Sequence, residues 1–152
     1  MHHGRTGFIR TSFVFTHHVL NQVYNKLMPA NQRLIPIYTT GGEVGAFLAY
    51  PYLYNRQGEW IGWVTPERQV YSVYGHYAGW LSDDPRILRK QSSGYFKPRL
   101  APPQRPEPIR PPALLPLPPM MSELTMGIND VLEDFPELLP SVDFGDLRDD
   151  MD

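Results

Sequence analysis

Apolar and polar positions alternate in short runs between Arg33 and Leu100, and within that stretch one seven-residue phrase returns at nearly constant intervals. It reads glycine, any residue, a large apolar residue, any residue, a small residue, an aromatic, an aliphatic. The copies are Gly42-Glu43-Val44-Gly45-Ala46-Phe47-Leu48, Gly58-Glu59-Trp60-Ile61-Gly62-Trp63-Val64 and Gly75-His76-Tyr77-Ala78-Gly79-Trp80-Leu81, with a worn fourth laid on Gly94-Tyr95-Phe96-Lys97-Pro98-Arg99-Leu100. The glycines step by 16, 17 and 19 residues. A short β-rich run precedes each copy: Leu34 to Tyr38, Tyr52 to Tyr54, Val70 to Tyr74 and Arg86 to Arg89. Two β-rich runs joined by a glycine-bearing turn predict a hairpin. Four hairpins are expected, separated at Pro51, Pro66 and Pro85, where proline stops the strand.

Alternation places Trp60, Gly62 and Val64 on one face of their strand and Ile61 and Trp63 on the other; Tyr77, Gly79 and Leu81 oppose Ala78 and Trp80 in the same way. Both faces are apolar, so both should be covered. A small residue in mid-strand implies a close visitor, and the expected visitor is an aromatic ring of the next unit, Phe47, Trp63 or Trp80. Hairpins are marginal alone and gain stability by covering one another. The expected fold class is therefore all-β, with four β-hairpin repeats packed around a pseudo-four-fold axis. Gly42, Ala46, Phe47, Gly58, Gly62, Trp63, Gly75, Gly79 and Trp80 form its structural repeat.

The flanks read differently. Residues 1–32 form an amino-terminal segment with one predicted helix, from Thr16 to Leu27, carrying Leu20, Val23, Tyr24 and Leu27 at helical spacing. An alternative is that Met28 is the natural start. Ten of the 17 prolines lie between Pro98 and Pro119, so residues 101–121 read as an extended, solvated linker. Arg105-Pro106-Glu107-Pro108-Ile109-Arg110-Pro111 has the register that SH3-type grooves read, although such composition also serves a plain spacer. Residues 122–152 are acidic, with one short amphipathic helix expected around Ile128, Val131, Leu132 and Phe135. Too short to persist alone, it would dock or stay disordered until bound. Those four residues are the expected partner-binding set.

Charge sharpens this division. Residues 1–96 carry nine basic and five acidic groups, and residues 121–152 carry one and ten. With no cysteine, a disulfide framework and a thiolate zinc site are excluded. The chain has no apolar run long enough for a transmembrane helix, and its start lacks the form of a signal peptide; a cytoplasmic protein is expected. Neighbouring side chains in His2-His3 and His17-His18 diverge, which disfavours a metal site. Glu43, Glu59 and His76 occupy equivalent places after the turn glycines, and could serve acid–base chemistry if they converged, but turn-flanking polar residues are ordinarily solvated. No catalytic constellation and no cofactor motif stands out. Tyr50, Tyr52, Tyr54, Trp60, Tyr71, Tyr74 and Tyr77 exceed what the alternating core needs and suit stacking on a sugar, a quaternary ammonium group or a base, although core packing is the first explanation for most of these rings. The modest basic excess of the body disfavours nucleic acid as a partner.

The glycine–aromatic copies at Ala46-Phe47, Gly62-Trp63 and Gly79-Trp80 resemble those of the four-fold beta flower domain family, over about Arg33 to Leu100. The resemblance implies a small bacterial module of four hairpin-like units around a pseudo-four-fold axis. It implies no activity. The functional expectation is a non-catalytic interaction or adaptor protein that contacts another protein through its carboxy-terminal tail and self-associates through its module. The alternative is a small-ligand module that takes a sugar or a quaternary ammonium group on its surface aromatics.

Overall fold

A computed structural model describes residues 33–92 and 97–142. Eight strands follow one another: β1 (Ile35–Tyr38), β2 (Val44–Ala49), β3 (Tyr52–Asn55), β4 (Trp60–Val64), β5 (Gln69–Ser72), β6 (Tyr77–Leu81), β7 (Ile87–Lys90) and β8 (Ile128–Asp130). They make one curled antiparallel sheet whose spatial order is the sequence order. Among the described residues there are also the single-turn helix α1 (Val131–Asp134) and a 3-10 turn at Pro136–Leu138. The expected amino-terminal helix lies outside the described residues.

One turn recipe recurs. The glycine N–H of Gly42, Gly58 and Gly75 returns to the carbonyl of Thr39, Asn55 and Ser72, at 2.9, 3.1 and 2.9 Å. The side-chain oxygen of the same residue then accepts the N–H four positions on, from Glu43, Glu59 and His76, at 3.3, 2.9 and 3.2 Å. Thr65 and Ser82 repeat the side-chain part between strand pairs, accepting from Gln69 and Arg86. Local side-chain acceptors of this kind fix a turn that backbone bonds alone would leave looser.

The innermost positions are Ile37, Leu53, Val70 and Ile87, all 0% exposed. In register, Ile37 faces Ala46, Leu53 faces Gly62 and Val70 faces Gly79. One step beyond the Leu88–Asp130 pair, Ile87 meets the fully buried Val131. The visitor to the small residues differs from expectation. A methyl on Gly62 would collide with the carbonyl oxygen of Tyr71, and one on Gly79 with that of Leu88. It is the neighbouring strand's backbone, not an aromatic ring, that needs the space, because the strands approach closely around an aliphatic centre. Aromatics gather instead on the other face, where Tyr38, Phe47, Tyr54 and Trp60 form a second core. Trp63 and Trp80 are half-buried, and Trp63 stacks on Tyr71 at 5.2 Å.

The worn fourth copy is the main difference from the sequence reading. Ser93 to Phe96 lie outside the described residues, and Lys97 to Leu100 form no strand. The partner of β7 is β8, far beyond the expected end of the domain. Pro98 lacks a ladder donor, whereas Gly127 repeats the left-handed turn glycine at φ +85° and its carbonyl accepts the Gln91 N–H at 2.7 Å. The presumed tail is thus partly core. The expected amphipathic helix shrinks to α1, because Ile128 to Asp130 are taken by the ladder and Asp130 caps the turn by accepting from Leu132 and Glu133. Leu139 buries behind it.

Polar contacts tie the first and last strands together. Tyr38 N–H donates to the Pro85 carbonyl at 2.8 Å. Thr40 donates to Asp130 through both its N–H (2.6 Å) and its hydroxyl (2.8 Å), while Arg86 donates to the Thr40 oxygen at 3.2 Å.

Candidate functional site

Residues 97–126 pack as a strap across the turn glycines, where the sequence suggested a solvated linker. Leu100 N–H donates to the Gly75 carbonyl and Ile109 N–H to the Gly58 carbonyl, each at 3.0 Å. Their own carbonyl oxygens lie where a methyl on Gly75 or Gly58 would stand. Pro118 lies against Gly42 through its ring, since proline has no N–H to give. Leu100, Ile109, Pro118 and Gly127 are spaced by nine residues, which is three full turns of a polyproline II helix and so returns the same side of the segment to each turn. Tyr38 donates its hydroxyl to the carbonyls of Pro116 and Leu117.

Arg86 anchors the end of the strap. It is 1% exposed and donates to Asp84 at 2.6 Å and to the Ser122 carbonyl at 2.8 Å. Burial alone would raise the Asp84 pKa, but hydrogen bonds from Arg86 and Ser82, the Arg86 charge and the Ser122 N–H outweigh it. The carboxyl is held below its ordinary value.

The strap walls two cavities. One, of about 630 Å³, is lined by Trp80, Leu88, Leu124, Ile128, Met120 and Met126 and, on its polar side, by Asp83, Asp84, Arg86 and Glu123. Met120 and Met126 are 95% and 98% exposed. The other, of about 490 Å³, is lined by Tyr50, Tyr52 and Tyr54 across from Glu107, Pro108 and Arg110. Burial pushes the Tyr54 phenol above its usual pKa, and Tyr52 adds to this, so its hydroxyl is neutral at ordinary pH.

The residues expected to meet a partner are mostly spent inside the fold. Val131 is fully buried, Leu132 packs on the aliphatic core and Ile128 lies in β8; Phe135 keeps more of its surface exposed. Gly42, Gly58 and Gly75 sit under the strap, Ala46, Gly62 and Gly79 pair with the innermost aliphatic residues of the neighbouring strands, and Phe47 lies in the aromatic core. Glu43, Glu59 and His76 stay at their separate turns, and Glu59 accepts from the Asn55 side chain at 2.9 Å. Among the described residues no cluster of three or more His, Asp or Glu could hold a metal ion, and no helix is long and apolar enough to cross a membrane. The strap cavities were missed because contacts between a proline-rich segment and distant turns leave no local periodicity; only the nine-residue recurrence of Leu100 and Ile109, each two residues before a Pro-Pro pair, hinted at them.

Residues 35–126 match the family model described as 4-fold beta flower protein. No curated protein and no solved structure matches the chain.

Proposed function

The chain belongs to the 4-fold beta flower family, and on that fold we propose a non-catalytic interaction module in which four hairpin repeats around a pseudo-four-fold axis present the strap to a partner protein. The steps between Ile37, Leu53, Val70 and Ile87, of 16, 17 and 17 residues, support the four-fold reading. The observation that carries the functional reading is the pair Met120 and Met126, almost wholly in solvent beside a cavity of mixed apolar and polar lining. Exposed apolar surface beside a cleft marks an interaction site, and unbranched methionines adapt to a partner's shape. Glu123 beside the cavity favours a segment that carries basic as well as apolar side chains, whereas Asp83 already pairs with Arg68 at 3.5 Å.

This moves the contact from the acidic tail to the strap. The test is affinity capture from native extract in parallel with the Met120→Asp/Met126→Asp and Glu123→Lys variants. A partner that the parent retains should be lost from the methionine variant, weakened by Glu123→Lys, and itself contain a basic, apolar segment. Equal retention by all three chains would refute the strap as the contact.

A further inference from the structure

Tyr52 and Tyr54 alternate along β3, so their rings leave the same face of the sheet, and Tyr50, in the turn before it, lines the same cavity. They descend in steps: Tyr50 is 59% exposed, Tyr52 half-buried and Tyr54 buried. The strap lays Glu107 and Arg110 across from them and closes a cavity of about 490 Å³, a size usual for small-molecule sites. The Tyr54 phenol, its pKa raised by burial, brings no charge. What the cavity offers is therefore aromatic faces, one carboxylate and one guanidinium.

A cation over an aromatic face is attracted by the ring quadrupole, and a methylated ammonium sheds water more readily than a bare one. The molecule already uses this contact elsewhere: Lys97 Nζ stands 4.0 Å from the Tyr77 ring centroid and the Arg89 guanidinium 5.8 Å from it. A neutral sugar would make no use of the opposite charges that Glu107 and Arg110, both exposed, hold at the edge of the cavity. A plain cation would satisfy Glu107 alone. The geometry points to a binding site for a small zwitterion bearing a methylated ammonium group, its cationic head over the tyrosines beside Glu107 and its anionic end paired with Arg110. This site is separate from the methionine-rimmed cavity, so it stands or falls apart from the protein-contact reading.

The experiment titrates the full chain with glycine betaine, with choline and with the uncharged isostere 3,3-dimethylbutan-1-ol, by calorimetry and by tryptophan fluorescence. Trp60 serves as reporter because its ring meets Tyr52 edge-on at 6.4 Å. Betaine should saturate, choline should bind more weakly and the isostere should not bind. Tyr50→Ala should weaken betaine about tenfold. Glu107→Gln should weaken both charged ligands, and Arg110→Gln betaine alone, with thermal melts confirming that all three variants fold; Glu67→Gln, an exposed position outside both cavities, should leave betaine affinity unchanged. The assignment is overturned by failure of betaine to saturate, by isostere binding as tight as choline binding, or by variants that bind as the parent does.

Discussion

Gly58 and Gly127 hold the same left-handed backbone, at φ +88° and +85°, in different surroundings. Nothing lies within 4 Å of the place where a Gly127 methyl would stand, whereas at Gly58 that place belongs to the Ile109 carbonyl. Gly127→Ala should therefore cost only the backbone penalty, about 1–2 kcal/mol. Gly58→Ala adds an overlap with main chain that must be relieved by shifting the strap, and should cost at least about 2 kcal/mol more. Urea denaturation followed by tryptophan fluorescence measures both, and equal losses would mean that the strap is not held at Gly58. The turn glycines were legible because a left-handed residue after an Asn, Ser or Thr has a strong local signature. Their second task, leaving room for a segment that follows much later in the chain, was not.

The same limit explains the misplaced strand. Seven strands could be read because short-range alternation and a step of 16 or 17 residues reinforce one another. The eighth follows a gap that breaks the period, and Val131, Leu132 and Phe135 satisfy helical spacing as well as Val131 satisfies the place opposite Ile87. Pairing to β7 decided the matter for Ile128 to Asp130, with α1 beginning only afterwards. A chain ending at Met120 tests this. It lacks β8, Val131 and Leu139, and truncating a single buried aliphatic side chain typically costs about 2–5 kcal/mol against a total stability of about 5–15. Such a chain should lose its cooperative thermal transition in circular dichroism and associate through the bare β7 edge. A monomer with a sharp transition would show that the first seven strands suffice.

Across the whole molecule, one polar cluster joins the parts that sequence distance separates. Arg86 at the start of β7 touches Thr40 after β1, Ser122 at the strap's end and Asp84 beside it, while Thr40 reaches Asp130 at the end of β8. Since folding holds Asp84 below its ordinary pKa, its contribution is complete above the usual carboxylate range, near pH 4, and is lost as pH falls through the lowered value. Asp84→Asn should destabilise the protein at neutral pH by about 2 kcal/mol, less than for a fully buried pair because Asp84 keeps 20% of its side chain in solvent. The gap between variant and parent should close as the solution is acidified below that range. Urea midpoints measured from neutral to strongly acidic pH would show it, and a gap independent of pH would mean that the carboxylate's charge is not what stabilises the junction. The sequence disclosed Arg86 only as the first residue of a β-rich run, because its three partners are 2, 36 and 46 residues away.

Placing the strap between β7 and β8 also imposes a timetable on biosynthesis. Thirty-seven residues separate Lys90 from Ile128, so at about 5–20 residues per second the ribosome delivers the last strand some 2–7 s after the first seven. Throughout that interval Ile87 lacks its cover and β7 offers an open edge to any other nascent chain nearby. The strap emerges before the strand that completes the sheet, and its contacts at Gly75 and Gly58 involve parts already made. It can act first as a tether that holds the growing chain close to its own β7, lowering the chance that a neighbour on the same polysome pairs there instead.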